Sequence, residues 1–175
     1  MSGRIDSCIL ADVHKILSLY ESARTLQTQK GMVVWPPFER PFIEKEINER
    51  RQWKLVIDDI IACNWAHTFE DKEIWEEKEK GDAIYIHRIA TNPIFRGNRY
   101  IDKIVKWAKE YAMQNGKLFV RLDTLGKNTR LIEHYQSAGF QFLGMVELAD
   151  TSALPAHYQT EPLCCLFQID LTSGR

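Results

Sequence analysis

The chain has no run of 18 apolar residues, which excludes a membrane-spanning helix. It also has no charge imbalance. Its 23 basic and 24 acidic side chains leave a net charge of −1, which offers no global attraction to nucleic acid or to anionic lipid, so neither is expected as a partner. Cysteine is scarce: Cys8, Cys63, Cys164 and Cys165 show no metal-ligand spacing, and no metal is expected. The adjacent pair 164–165 would point to opposite faces of a strand. Reduced, buried thiols are the expectation, with a redox or nucleophilic thiol as the alternative. Repeats and low-complexity tracts are missing as well. The opening residues Met1-Ser2-Gly3-Arg4-Ile5-Asp6 carry no apolar signal-peptide core, which leads to the expectation of a cytoplasmic protein. What is present is an ordinary globular composition over 175 residues. That suits one domain, 1–175, able to bury about 70% of its unfolded surface.

Apolar periodicity lays out the elements. Val13, Ile16, Leu17 and Tyr20 fall at helical spacing, giving a helix to about residue 29 with Asp12 as N-cap and Gly31 beyond its end. The loop 32–37 that follows is unusually apolar. Pro41 opens a second helix with Ile43 and Ile47 inward. Segments 53–57 and 60–69 read as antiparallel strands joined by Asp58-Asp59, a tight turn without the favoured glycine. The highly charged 70–80 reads as surface. Segment 83–89 begins apolar on both faces, as in a central strand covered on both sides. A helix over 99–115 places Ile101, Ile104, Val105 and Ala108 inward, with Gly116 at its C′ position. A strand over 117–123 alternates Leu118, Val120 and Leu122 on one face. A short helix over 129–138 is capped by Asn128 and stopped by Gly139, and closing strands cover 140–147 and 163–171. Helices interleaved with mostly antiparallel strands define an α/β (α+β) domain around a twisted sheet.

Two segments carry chemistry. Arg96-Gly97-Asn98-Arg99 lies between a strand and a helix start, where unpaired N–H groups and the helix dipole favour a phosphate. Gly97 lets backbone approach a ligand, and Arg96 and Arg99 add charge-assisted donors. A solvated strand-to-helix turn would look the same. Arg96, Arg99, Lys103 and Lys106 recur at spacings of three and four, as an outer helix face or as a stripe that meets polyphosphate; no interleaved aromatics point to nucleic acid. Further on, Asn128 and Tyr135 stand two helical turns apart on one face, a cap and a tyrosine whose hydroxyl needs a partner.

Taken together, Ile86-His87-Arg88-Ile89-Ala90-Thr91-Asn92-Pro93, then Arg96-Gly97, then Asn128-x-x-Leu131 and Tyr135 with Ala138-Gly139-Phe140 resemble the GCN5-related N-acetyltransferase (GNAT) family. The resemblance covers nearly the whole chain in element order. It implies a twisted mixed, mostly antiparallel sheet of about six or seven strands flanked by about four helices. In the phosphate turn Arg96 fills the family's first position, Arg99 stands where the main glycine is usual, and Ile101 where a small residue is usual.

The resemblance further implies an acyl-CoA-dependent N-acyltransferase that moves acetyl from acetyl-CoA to a primary amine of a small molecule by direct attack. A catalytically weak acyl-CoA sensor or an interaction module is the alternative. Ile89, Ala90 and Thr91 would pair with the pantetheine arm; Arg96, Gly97, Asn98, Arg99, Tyr100 and Ile101 would hold the pyrophosphate; Asn128, Leu131 and Tyr135 would complete the cofactor site. A backbone N–H near Ile89 or Ala90, at a bulge, would meet the developing oxyanion. Tyr135 is the expected acid for the leaving thiolate and His87 the expected base, with a packed or substrate-orienting histidine as the other reading of His87 and with Glu70, Asp71 or a water chain as other bases. Val34, Trp35 and His157, with Met32, Val33 and Tyr158, are candidate acceptor walls or simply loop anchors. The family suggests a homodimer.

Overall fold

The computed structural model describes residues 3–173. In chain order the elements are β1 (Arg4–Ser7), α1 (Val13–Gln29), α2 (Arg40–Asn48), β2 (Gln52–Ile57), β3 (Ile60–Thr68), α3 (Lys72–Trp75), β4 (Ala83–Thr91), α4 (Ile101–Gln114), β5 (Phe119–Leu125), α5 (Thr129–Ser137), β6 (Gln141–Glu147), α6 (Ala156–Thr160) and β7 (Leu163–Asp170). The strands form one mixed sheet in the order β1-β2-β3-β4-β5-β7-β6. β4 and β5 run parallel, whereas β1–β2, β2–β3, β5–β7 and β6–β7 are antiparallel. The expected α/β class and mixed sheet are therefore present, with short α3 and α6 added to the four helices foreseen and β1 added to the strands.

The chain divides into two compact units. The first runs to His67 and resumes over His87–Tyr100. Its core gathers Val13, Ile16, Leu19 and Tyr20 of α1, Ile43 and Ile47 of α2, and Ile61 and Ala90 of the strands. Burying each large aliphatic or aromatic side chain contributes about 1.5–3 kcal/mol before conformational entropy is subtracted. Asp12 holds the N-cap position of α1, but its side chain does not cap that helix. Its Oδ2 instead accepts from the Ile9 amide at 2.9 Å and from Lys54 Nζ at 2.6 Å. The β2–β3 turn solves its lack of glycine directly: Asp58 and Asp59 both take left-handed backbone, φ 47° and 60°, as a two-residue type I′ turn demands. The apolar loop after α1 is pinned down. The Trp35 amide donates to Gln27 Oε1 (2.9 Å), its carbonyl accepts from Arg24 Nε (2.8 Å), and its ring packs edge-on against Tyr20 and Phe38.

The second unit comprises Thr68–Ile86 and the residues described from Ile101 onward. Ile74 and Trp75 from the segment read as charged surface are buried beside Ala83, Tyr85, Leu148, Cys164 and Leu166. α4 buries Ile101, Ile104, Val105, Ala108 and Ala112 on one face. Cys164 and Cys165 are both fully buried, because both faces of β7 are covered there; all four cysteines are free thiols. Arg121 is buried at 5% exposure: it donates to Gln168 Oε1, the Lys78 carbonyl and the Tyr85 hydroxyl, with its guanidinium over the rings of Trp75 and Phe119. Among the described residues no helix is long and apolar enough to cross a membrane.

Candidate active site

In the first unit the site residues follow a backbone anomaly. Arg88 has φ 52° inside β4, the one non-glycine left-handed residue within a strand of the described chain. A left-handed residue kinks a strand as a bulge does and interrupts its alternation, so strand period alone does not put His87 and Ile89 on one face across position 88. Ala90 beyond the kink is buried, whereas Ile89 and Thr91 are partly exposed. Asn92 then locks the exit from β4: its amide donates to the Ala62 carbonyl (2.8 Å) and its side-chain nitrogen to the Ile61 carbonyl (3.1 Å), while its Oδ1 accepts from the Ile94 amide (3.3 Å).

The phosphate-type loop is exposed from Arg96 to Arg99. Gly97 (φ 87°) and Arg99 (φ 50°) are both left-handed and flank Asn98. Alternation of this kind turns successive N–H groups to one side, the geometry of an anion-binding nest. A Cβ at Gly97 would meet nothing within 4 Å, so glycine is required there by conformation, and space for a ligand remains. Arg99, expected to stay helical, adopts the glycine-like conformation after all. Asn98 Nδ2 donates to the Phe95 carbonyl (2.9 Å), and Arg96 Nη2 donates to Ser22 Oγ on α1 (3.2 Å). α4 begins only at Ile101. Arg96 and Arg99 therefore precede the helix and do not share a face with Lys103 and Lys106. Ile101 is 6% exposed, so its bulk is buried.

His87 is held neutral: burial, then the charges of Arg88 and Arg51, push its pKa down to about 3. Val34 and Trp35 line the pinned loop of this same unit, both partly buried.

In the second unit Asn128 caps α5 as expected, its Oδ1 accepting from the Leu131 amide at 3.1 Å. Tyr135, two turns on, is held by Phe140 and Phe167, with ring centroids 5.8 and 5.3 Å away. Burial first, and the Asp123 charge second, raise its phenol to about 12. Asp123 is the residue that strand alternation concealed. Its Oδ2 accepts from the Tyr158 hydroxyl at 2.9 Å, and burial raises its pKa to about 6. Carboxylate oxygens of Asp71 and Asp123 lie within 4.8 Å of each other. Burial, then Asp123, push Asp71 up to about 8, and Asp71 Oδ2 is buried with no hydrogen-bond partner among the described residues, as suits a protonated carboxyl. Near neutrality the pair thus carries one proton. Glu70 is exposed and pairs with Lys72. The His157 ring lies tilted against that of Tyr158, centroids 4.6 Å apart. A cleft lined by Ile74, Trp75, Glu76, Lys78, Val146 and Leu166 in this unit includes none of the expected site residues.

The site residues thus stand on a mixed seven-stranded sheet with parallel β4 and β5, a kink in β4 and an anion-type loop ahead of α4. The family model described as "Acetyltransferase (GNAT) family" matches residues 15–140, and the chain belongs to that family. A curated relative, the uncharacterized N-acetyltransferase YesJ of Bacillus subtilis (strain 168), is 27% identical over 74 residues; the match spans 42% of this chain and 41% of that protein. An acetyltransferase of the GNAT family from Listeria monocytogenes 4b F2365 superposes with a TM-score of 0.74 at 20% identity, covering 97% of this chain and 95% of that one. YncA, a putative acetyltransferase from Salmonella typhimurium solved with its cofactor acetyl-CoA, gives a TM-score of 0.70 at 12% identity over 98% and 95% of the two chains.

Proposed function

We propose that this protein is an acyl-CoA-dependent N-acyltransferase that moves acetyl from acetyl-CoA to the primary amine of a small molecule. The observation that carries this reading is the loop 96–100: two left-handed residues around Asn98, open space at Gly97, and a 14-residue helix directly after it in the chain. Amides turned outward at such a point suit a diphosphate without needing the arginine side chains. Residues 97–101 would hold the pyrophosphate, with Arg96 standing on Ser22 beside them. Ile89, Ala90 and Thr91 would pair with the pantetheine arm, and Asn128, Leu131 and Tyr135 would complete the cofactor contacts. When bound, acetyl-CoA supplies an acyl group already activated as a thioester.

The chain's own groups then have three tasks. An N–H of Ile89 or Ala90, directed by the kink at Arg88, meets the negative charge that develops on the carbonyl oxygen; losing one such donor typically costs about 10²–10³ in rate. The phenol of Tyr135 gives its proton to the departing sulfur. The amine's proton goes to a carboxylate. We assign this last role to Asp123, with Asp71 as its protonated neighbour, in place of His87: a group whose pKa lies at about 3 is a poor acceptor, whereas Asp123 at about 6 is ionised and ready at neutral pH. The two steps are linked. The charge on Asp123 is one of the causes that hold the Tyr135 phenol up. A proton arriving on Asp123 removes that charge, so the phenol becomes the stronger acid as the sulfur needs its proton. Neutral His87 is left to orient the substrate. The pinned Val34–Trp35 loop and His157 beside Tyr158 are assigned to the acceptor.

The test is binding and turnover together. Saturating CoA should raise the melting temperature, by the equivalent of roughly 2.7 kcal/mol at 100 times Kd, and should move the amide resonances of residues 96–101. Acetyl transfer should follow across a panel of small primary amines. Resonances and melting curve unmoved by CoA would overturn the reading; binding without transfer would reduce it to a sensor.

A further inference from the structure

The left-handed residue in β4 does not stand unsupported. Non-glycine residues with positive φ are uncommon, and they persist inside a regular element only where the surroundings over-determine them. Arg88 is gripped at its far end. Its guanidinium lies over the rings of Phe42, Phe38 and Tyr20, at 5.1, 5.5 and 5.9 Å from their centroids, and its Nη2 donates to Glu46 Oε1. Glu46 projects from α2 and is 1% exposed. The same carboxylate accepts from Arg51 Nη1 (3.1 Å) and from Gln52 Nε2 (2.7 Å). Gln52 Nε2 also donates to the Tyr20 hydroxyl (3.0 Å), and Gln52 Oε1 accepts from Asn64 (3.3 Å). One buried anion therefore gathers two guanidiniums and a buried amide network, and one of those guanidiniums belongs to the kinked residue. The position with strained backbone and the position with the clamped side chain are the same residue, and it immediately precedes Ile89 and Ala90.

We propose that Glu46 is a positioning residue: by holding the Arg88 side chain in its aromatic cage it fixes the β4 kink, and so aims the Ile89 and Ala90 N–H groups at the acyl oxygen. The idea rests on the acyltransferase reading for its chemistry but not for its structural half. Arg88 is the handle and Glu46 the anchor. Neither needs to touch the coenzyme. Charge matters as well as shape, because Arg51 also pairs with Glu49 whereas the buried Arg88 guanidinium would lose its carboxylate partner with Glu46. An aspartate, shorter by one methylene, keeps the charge and can reach the guanidinium with slight adjustment.

Glu46→Gln, Glu46→Asp and Phe42→Leu are compared with the native chain by steady-state kinetics, by calorimetric titration with CoA, and by amide hydrogen exchange over 88–91 without ligand. Phe42 is 40% exposed, so its shortening opens the cage with little risk to folding. In Glu46→Gln kcat should fall at least tenfold while Kd for CoA stays within twofold, and exchange over 88–91 should quicken at least tenfold. Phe42→Leu should show the same split, about threefold in kcat, and Glu46→Asp should recover most of the loss. A general structural role would weaken CoA binding and turnover in step. That result overturns the proposal, as does native kcat in both Glu46→Gln and Phe42→Leu; if Glu46→Gln does not fold, Phe42→Leu decides. Should the native protein transfer nothing, the acyltransferase reading fails separately. Exchange over 88–91 then decides the anchoring claim, and an unchanged rate in Phe42→Leu and Glu46→Gln overturns it.

Discussion

The Tyr158 hydroxyl donates a 2.9 Å hydrogen bond to Asp123 Oδ2, tying the short helix α6 to the interior of β5. That bond favours the ionised carboxylate against the burial that opposes it. Tyr158→Phe removes it and leaves the ring. A hydrogen bond to a charged group contributes about 1.5–3 kcal/mol and one pKa unit corresponds to about 1.4 kcal/mol, so Asp123 should rise by about one unit or more. The acid limb of the kcat/KM profile should move to higher pH by that amount, with little change above pH 8. A limb that stays in place removes Asp123 from the base role.

Tyr135→Phe keeps the packing on Phe140 and Phe167 and loses only the hydroxyl. With no proton to offer the sulfur, kcat should drop at least about tenfold, as positioned acid catalysis is worth about 10²–10⁴. Affinity for acetyl-CoA should change by less than about twofold. Steady-state rates with a calorimetric Kd decide the matter.

Asp71 makes stability fall with rising pH. Its pKa is about 8 in the folded chain and about 4 in the unfolded one, so between those values the folded state holds the extra proton. The stabilisation is complete below the unfolded value and is lost as pH rises through 8. His67 and His87, lowered to about 4 and about 3, act with the opposite sign, but only below their unfolded range near pH 6.5. From pH 7 to 8 the native protein should lose about 0.5–1 kcal/mol in denaturant titrations. Asp71→Asn should flatten that slope.

The turn at Asp58–Asp59 holds two non-glycine residues in left-handed backbone. Asp59→Gly should raise unfolding free energy by about 0.5–1 kcal/mol, because glycine enters that region without a Cβ penalty. The ion pair it gives up, Arg4–Asp59 at 3.5 Å with Asp59 93% exposed, is too solvated to offset the gain. A lower denaturation midpoint would contradict this.

Long periodic segments were legible in the sequence because burial imposes the period. α1, with Val13, Ile16 and Tyr20 inward, ends at Gln29 as its spacing suggested, and the Asn128 cap makes the bond its residue type called for. β1 escaped because Arg4-Ile5-Asp6-Ser7 offers a single apolar residue; pairing with β2, not composition, makes it a strand. α3 escaped because Ile74 and Trp75 sit among charges, and only tertiary packing selects them.

The site divides along the same line. Gly97, Asn128 and Tyr135 announce themselves by type and spacing. The kink at Arg88 does not, since nothing in the residue type foretells positive φ, and the side-chain contact that accompanies it lies more than forty positions away at Glu46. Asp123 is hidden in the sequence because the apolar alternation of Leu118, Val120 and Leu122 defines the strand without it, although it lies within β5. The signal available was a second charged residue, after Arg121, inside a strand with apolar neighbours. His87 was favoured for a pKa near neutrality, a property of the free side chain that burial abolishes.

The four buried thiols have a practical consequence. Burial is the first cause raising every one of them, Cys63 to about 11 and Cys8 to about 12. Thiolate, the form that attacks a disulfide dye, is therefore rare in the native chain. Free coenzyme released during turnover can be titrated continuously by such a dye against a nearly silent protein background. The same reagent, added in denaturant, would count molecules as they open.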